Sequence, residues 1–135
     1  MKLLACSAFL IFFPAVKPVP AIDTERLIAV LCEVEQGRWG SPGGAANMSY
    51  YAWEQHSRLA YQLSASREHA LPVYREHLKT LRQQILDQHK EPTVVALSTA
   101  WLLGFDGALR QRLASDYGTR CLNLYSDKTF TKPIP

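Results

Sequence analysis

The sequence predicts a single, mainly helical domain. Two observations predict it. Apolar residues recur at spacings of three and four through most of the chain, and each such run is bounded by capping residues, glycine or proline. No segment alternates apolar and polar residues over any length, which removes the signal for half-buried strands. At 135 residues the chain suits one domain, and it contains no internal repeat or low-complexity tract.

The first stretch stands apart. "MK" is a short basic start and "LLACSAFLIFFPAV" is an apolar run shorter than the ~20 residues needed to cross a bilayer. "VPA" places Val19 and Ala21 at the small-residue positions of a secretory cleavage site. Residues 1–21 therefore read as a signal peptide, cut after Ala21. Residues 22–135 read as the domain, exported to the periplasm or the outside, with no stable membrane span after cleavage. Cys6, in "LLAC", offers lipidation as a rival, but the apolar run before it is short; Pro14 argues against an uncleaved anchor.

The elements follow in order. "DTERLIAVLCEVEQG" carries capping residues Asp23 and Thr24, an acid in its first turn, and Gly37 as a stop. "RWGSPGGAAN" is a turn-rich loop holding three of the seven glycines. Ser49 is an N-cap candidate for the short helix "YYAWEQH". "SREHALPVYREHLKTLRQQILDQHK" is a long amphipathic helix whose stripe is Ala70, Val73, Tyr74, His77, Leu78, Leu81 and Ile85. Pro72 fits its first turn or a kink. "EPTVVALSTAWLLG" has Pro92 near its start and Gly104 at its end. A short helix follows Asp106, and a last one runs from about Ser115 to Asp127, with Gly118 as a weak point. "TKPIP" reads as a loose tail.

Charge narrows the partners. Lys plus Arg number 15 and Asp plus Glu 12. Losing Lys2 and Lys17 with the signal leaves 13 against 12, a net charge of +1. That gives no electrostatic footprint for nucleic acid and suits a neutral polymer better. Cys32 and Cys121 remain after cleavage. In an exported protein they are a candidate disulfide, since the first and last helices are expected to pack together; two buried free thiols are the alternative. The four histidines show no HExxH or close ligand pair, so no metal site is expected.

Two glutamates close the first helix. Glu35 shares a face with Ile28, Leu31 and Cys32, and lies on the apolar stripe. Glu33 lies beside it, with Arg26 two turns back as a solvent-side cation. A carboxyl in an apolar setting keeps its proton to higher pH, as a general acid requires, and the negative end of the helix dipole acts in the same direction. Spacing alone leaves that role open, and of the two glutamates it makes Glu33 the more exposed. The alternative is that Glu35 is a last-turn residue turned to solvent.

The order of motifs around Glu35 resembles the lysozyme-like lytic transglycosylases, as a divergent member, over roughly residues 25 to 125. "VEQG" with the glycine-rich loop and "GGAANMSYYAWEQ" is similar to the family's Val-Glu-Ser helix end and Gly-Leu-Met-Gln segment. The resemblance puts Glu35 on the catalytic acid and Asn47 on the Gln, six residues before Trp53. Ser49 falls close to the family's helix start. "AWLLG" is similar to Ala-Tyr-Asn-Ala-Gly, with Trp101 on the Tyr and Leu102 where the family carries Asn. "DYGTRCLNLY" is similar to the closing segment and places Tyr117 on its Tyr.

The resemblance implies a lysozyme-like fold and cleavage of peptidoglycan glycan strands between MurNAc and GlcNAc. It implies a single catalytic Glu, Glu35, on the floor of the main cleft, and no cofactor or metal. Asn47, Tyr50, Tyr51, Trp101 and Tyr117 are the candidate substrate-binding residues. Of the adjacent pair Tyr50 and Tyr51, one is expected to turn inward and the other to face the cleft. Trp53 reads as core, and Trp101 as cleft or core. No Asp or Glu lies between Arg38 and Trp53, so a second carboxylate close after Glu35 is missing; Asp106 and Asp116 read as N-caps. A non-catalytic domain of the same fold, binding cell-wall glycan or a protein, is the rival that Leu102 favours.

Overall fold

Asp23 starts the first helix, α1 (Thr24–Glu35), by accepting the Arg26 backbone N–H at 3.1 Å. The computed structural model describes residues 21 to 135, so the expected signal peptide lies, but for Ala21, outside the described residues. Every residue of α1 from Leu27 to Cys32 is buried. An amphipathic helix shows a dry stripe; one dry all round has neighbours on several sides. Here they are α6 and α3.

The rest of the domain wraps that rod. α2 (Tyr50–His56) is capped by Ser49, whose hydroxyl accepts the Ala52 N–H at 3.1 Å. A single 3-10 turn, Tyr61–Ala65, leads into α3 (Arg67–Asp87). α4 (Val94–Leu103), α5 (Phe105–Arg110) and α6 (Asp116–Ser126) complete the chain. Among the described residues there is no strand. The mainly helical domain is as the spacing predicts. The dry stripe of α3 is the predicted one, except that Leu71 joins it and Val73 is only half-buried.

Several local expectations change. Gln36, in the left-handed region at φ 51°, ends α1, and its N–H closes on the Cys32 carbonyl at 2.9 Å. Gly37 serves a different need: a Cβ there would lie 2.3 Å from the Ala45 carbonyl oxygen, so the glycine lets the following loop fold back on the helix end. Thr93 caps α4 through its hydroxyl, so Pro92 stands just before the cap rather than in the first turn. Asp106 and Asp116 sit in first helical turns, while Gly104 and Ser115 hold the cap positions.

The tail is not loose. The Arg26 guanidinium donates to three carbonyls, those of Tyr125, Asp127 and Phe130, at 2.7 to 2.9 Å. Phe130 is buried, and Lys132 pairs with Glu33 at 3.0 Å. The Trp39 indole N–H donates to the Pro135 carbonyl at 2.7 Å. A Pro-containing segment lacks secondary-structure bonds of its own, and side chains from elsewhere in the chain satisfy its carbonyls instead.

Gly118 is a contact rather than a weak point. It is buried in the first turn of α6, where a Cβ would meet Thr99 Oγ1 at 2.6 Å and the Val95 carbonyl at 2.7 Å. The missing side chain is what brings α6 onto α4. Alanine normally favours a helix over glycine by ~1 kcal/mol. Gly118→Ala should reverse that sign and destabilise by about 1–3 kcal/mol through overpacking, read as a lower urea midpoint at unchanged slope.

Candidate functional site

Three distant residues meet where α1 ends. Glu35 is the last residue of α1 and is half-buried. Asn47 closes the loop after it, in the left-handed region at φ 50°, a conformation asparagine tolerates well. Its side-chain amide donates to Glu35 Oε2 at 3.3 Å. Tyr117 comes from the first turn of α6. Its hydroxyl is buried beside the Glu35 carboxylate and the Cys121 thiol, without a partner in good hydrogen-bond geometry. Burial first, and then the charges of Cys121 and Glu35, push its phenol far above the usual range.

The loop owes its shape to two buried side chains. The Tyr74 hydroxyl donates to the Gly43 carbonyl and accepts the Ala46 N–H at 3.2 Å. The Trp101 indole N–H donates to the Ala46 carbonyl at 2.9 Å. Gly44 lies so close that a Cβ would sit 2.5 Å from the Tyr74 hydroxyl, and its φ of 69° suits only glycine easily. Ser64 and Tyr61 add bonds to Gly43 N–H and the Met48 carbonyl, both at 2.6 Å. The loop therefore delivers Asn47 to Glu35 from a fixed backbone.

Glu33 is exposed, as expected. Its cation is Lys132 rather than Arg26, which the tail occupies. None of the five cavities described includes Glu35, although one of them is lined by its neighbours Glu33, Gln36 and Gly37.

The aromatic residues divide. A cavity of about 490 Å³ is walled by α2, α3, α4 and α5, with Tyr51, Gln55, His77, Trp101, Leu102 and Asp106 among its residues. Tyr51 is 79 % exposed and Tyr50 48 %, so neither turns inward, contrary to expectation. They meet edge to face at 5.8 Å, and the Tyr50 hydroxyl donates to Glu54 at 2.5 Å. Tyr50 faces a second cavity, of about 750 Å³, with Arg58 and Tyr61. Trp53 is core, as read, with its indole N–H on the Leu59 carbonyl. Trp101 is core too, and shows only part of itself to the cavity.

Cys32 and Cys121 are both free, so the candidate disulfide is not formed. α1 and α6 do pack together, but the thiols sit in different surroundings. Cys32 lies near Tyr74 and Arg67, and burial pushes it up to about 12. Cys121 lies against Ser98 and Tyr117; burial raises it and hydrogen bonds to those two oppose the rise. Ser98 was not foreseen. It is fully buried with its hydroxyl short of a conventional partner, and its polarity inside "VVALSTAW" was the available signal. Thiol titration under denaturing, non-reducing conditions should count every cysteine as reactive; a deficit of two would mean that Cys32 and Cys121 pair after all.

Two histidines also meet. His56 Nε2 and His77 Nδ1 are 2.9 Å apart. Among the described residues no group of three or more His, Cys, Asp or Glu could hold a metal ion, and no helix is long and apolar enough to cross a membrane. No family model, no curated protein and no solved structure matches the chain.

Burial lowers His77 to about 4, and the neighbouring His56 adds to the effect. A histidine depressed in the fold contributes stability that is fully present above its unfolded pKa near 6.5 and is lost as pH falls toward its folded one. The unfolding free energy should therefore fall between about pH 6.5 and pH 4, by on the order of 2–3 kcal/mol from this group, and denaturant midpoints with it. His77→Gln should flatten that part of the profile; an unchanged slope in the variant would assign the loss elsewhere.

Proposed function

We propose that this protein is an exported, lysozyme-like enzyme that cuts the glycan strand of peptidoglycan by lytic transglycosylation. One observation carries the reading. Glu35, Asn47 and Tyr117 match the family's acid, Gln and Tyr in the resemblance, and these three residues from separate elements form one cluster.

The chemistry follows from what the cluster holds. Glu35 protonates the glycosidic oxygen, then takes a proton from the sugar's own 6-hydroxyl as the 1,6-anhydro ring closes. Asn47 donates to Oε2, which leaves Oε1 to handle the proton. Tyr117 keeps its hydroxyl proton at any working pH and can donate to the carboxylate once it is charged. The substrate's N-acetyl group stands in for a nucleophile, since no carboxylate lies between Arg38 and Trp53. Asp106, the next carboxylate to consider, belongs to the 490 Å³ cavity and not to the Glu35 cluster. Tyr50 and Tyr51 offer exposed rings on which apolar sugar faces stack. Trp101 supports the loop from inside. No cofactor or metal enters.

A second reading has its own observation. Leu102 stands 47 % exposed on the cavity wall where the family carries Asn, and none of the five cavities described includes Glu35. That combination suits a non-catalytic domain that holds glycan, or a protein, without cutting.

Purified peptidoglycan separates the two. The enzyme should release 1,6-anhydro muropeptides, lighter by one water than hydrolysed ones. Glu35→Gln should reduce that release ~100- to 10,000-fold while the fold survives, and Glu33→Gln should be mild. Full activity in Glu35→Gln would end the proposal. Reducing ends without the anhydro ring would mean a second carboxylate, and co-sedimentation without products would favour the binding domain.

A further inference from the structure

The contact between α2 and α3 joins a titratable pair to the Glu35 cluster. His56 and His77 share one hydrogen bond at 2.9 Å. The His77 ring is buried and packs, tilted, on Trp101 with centroids 5.5 Å apart. Trp101 donates to the Ala46 carbonyl at 2.9 Å, and the next residue, Asn47, donates to Glu35 Oε2 at 3.3 Å. We propose that the His56–His77 pair is an acid-sensitive latch that positions Trp101 and, through Ala46, holds the Asn47 amide on Glu35. Its consequence for catalysis rests on the reading of Glu35 as the acid; its positional part does not.

Proton counting gives the latch its two states. With no added proton, or with one, the facing nitrogens still offer a donor and an acceptor. A second proton puts N–H on both, and the contact becomes a repulsion between like charges in a poorly solvated place. The neighbours do not cancel it. Glu76, on α3, favours a proton on His56. From α5, Asp106 and Arg110 stand on the wall of the same cavity and carry opposite charges. α4 brings Trp101 and apolar residues, and α2 adds the uncharged Gln55 and Tyr51. Burial disfavours the charged form of both histidines, more strongly for His77.

At neutral pH the latch is closed. In acid the pair separates, Trp101 keeps Tyr74 but loses the second ring that flanks it, and the loop loosens its hold on Asn47. His77 and Trp101 are thus positioning residues: neither touches the carboxylate.

Proton–nitrogen correlation spectra of the full chain, taken from about pH 7.5 to about pH 3.5, test this without substrate. Three indole N–H signals are available, and Trp101→Phe and Asn47→Ala assign the two that matter. The Trp101 indole and the Asn47 amide should shift with the same midpoint as the His77 imidazole nitrogens, while the Trp39 indole stays still. His77→Gln should abolish the shift. His56→Ala, which removes the partner, should uncouple the two: His77 titrates with a higher midpoint, and the Trp101 indole and Asn47 amide no longer follow it. A still Trp101 indole while His77 titrates overturns the latch. So does the loss of all three indole signals together with the helical circular dichroism, since the pair would then act on global stability alone. Inactivity on peptidoglycan with the shifts present would sink the enzyme reading and leave the latch standing.

Discussion

The Tyr74 hydroxyl is the point on which the site depends. It is fully buried on α3, yet it satisfies a carbonyl and an amide of the loop that follows α1. A buried loop carries backbone groups that need partners, and leaving one unmade costs about 1–3 kcal/mol. Tyr74 and Trp101 together meet that need for Gly43 and Ala46. The two rings also meet each other edge to face at 5.3 Å, and Trp39 stacks on Tyr74 from the other direction. The loop is thus fixed to α3 and α4 rather than to its own flanks.

Glycine makes that arrangement sterically feasible. At Gly37 and Gly44 a side chain would collide with backbone or with the Tyr74 hydroxyl. By folding onto the end of α1, the loop brings Asn47 to Glu35, while none of the five cavities described includes that carboxylate. The exposed tyrosines and the 490 Å³ cavity lie elsewhere on the molecule's α2 face.

Polar side chains gather inside the α4–α6 contact. Ser98, Thr99, Tyr117 and Cys121 all sit there, next to the half-buried Glu35. Thr99 is satisfied by Ser115 at 2.8 Å. Ser98 and Tyr117 are not conventionally satisfied. Buried polar atoms left short of partners are expensive to keep, and a site that uses them is one reason a fold retains them.

What the sequence by itself determined was local. Apolar spacing set the helices, and the side chains of Asp23, Ser49, Thr93 and Ser115 set where four of them begin. The face of α1 that carries Glu35, the exposure of Glu33 and the core position of Trp53 were legible for the same reason: helical periodicity is a property of neighbours in sequence. The candidate cluster was legible only through the resemblance, because residues 35, 47 and 117 share no local pattern. Tertiary structure alone decided the rest. It turned Arg26 from Glu33 to the tail, left the two thiols apart, set Tyr50 and Tyr51 both outward, and joined His56 to His77. Each of those outcomes depends on which distant backbone group or side chain arrives within hydrogen-bond or van der Waals reach. Spacing along the chain carries no record of that distance.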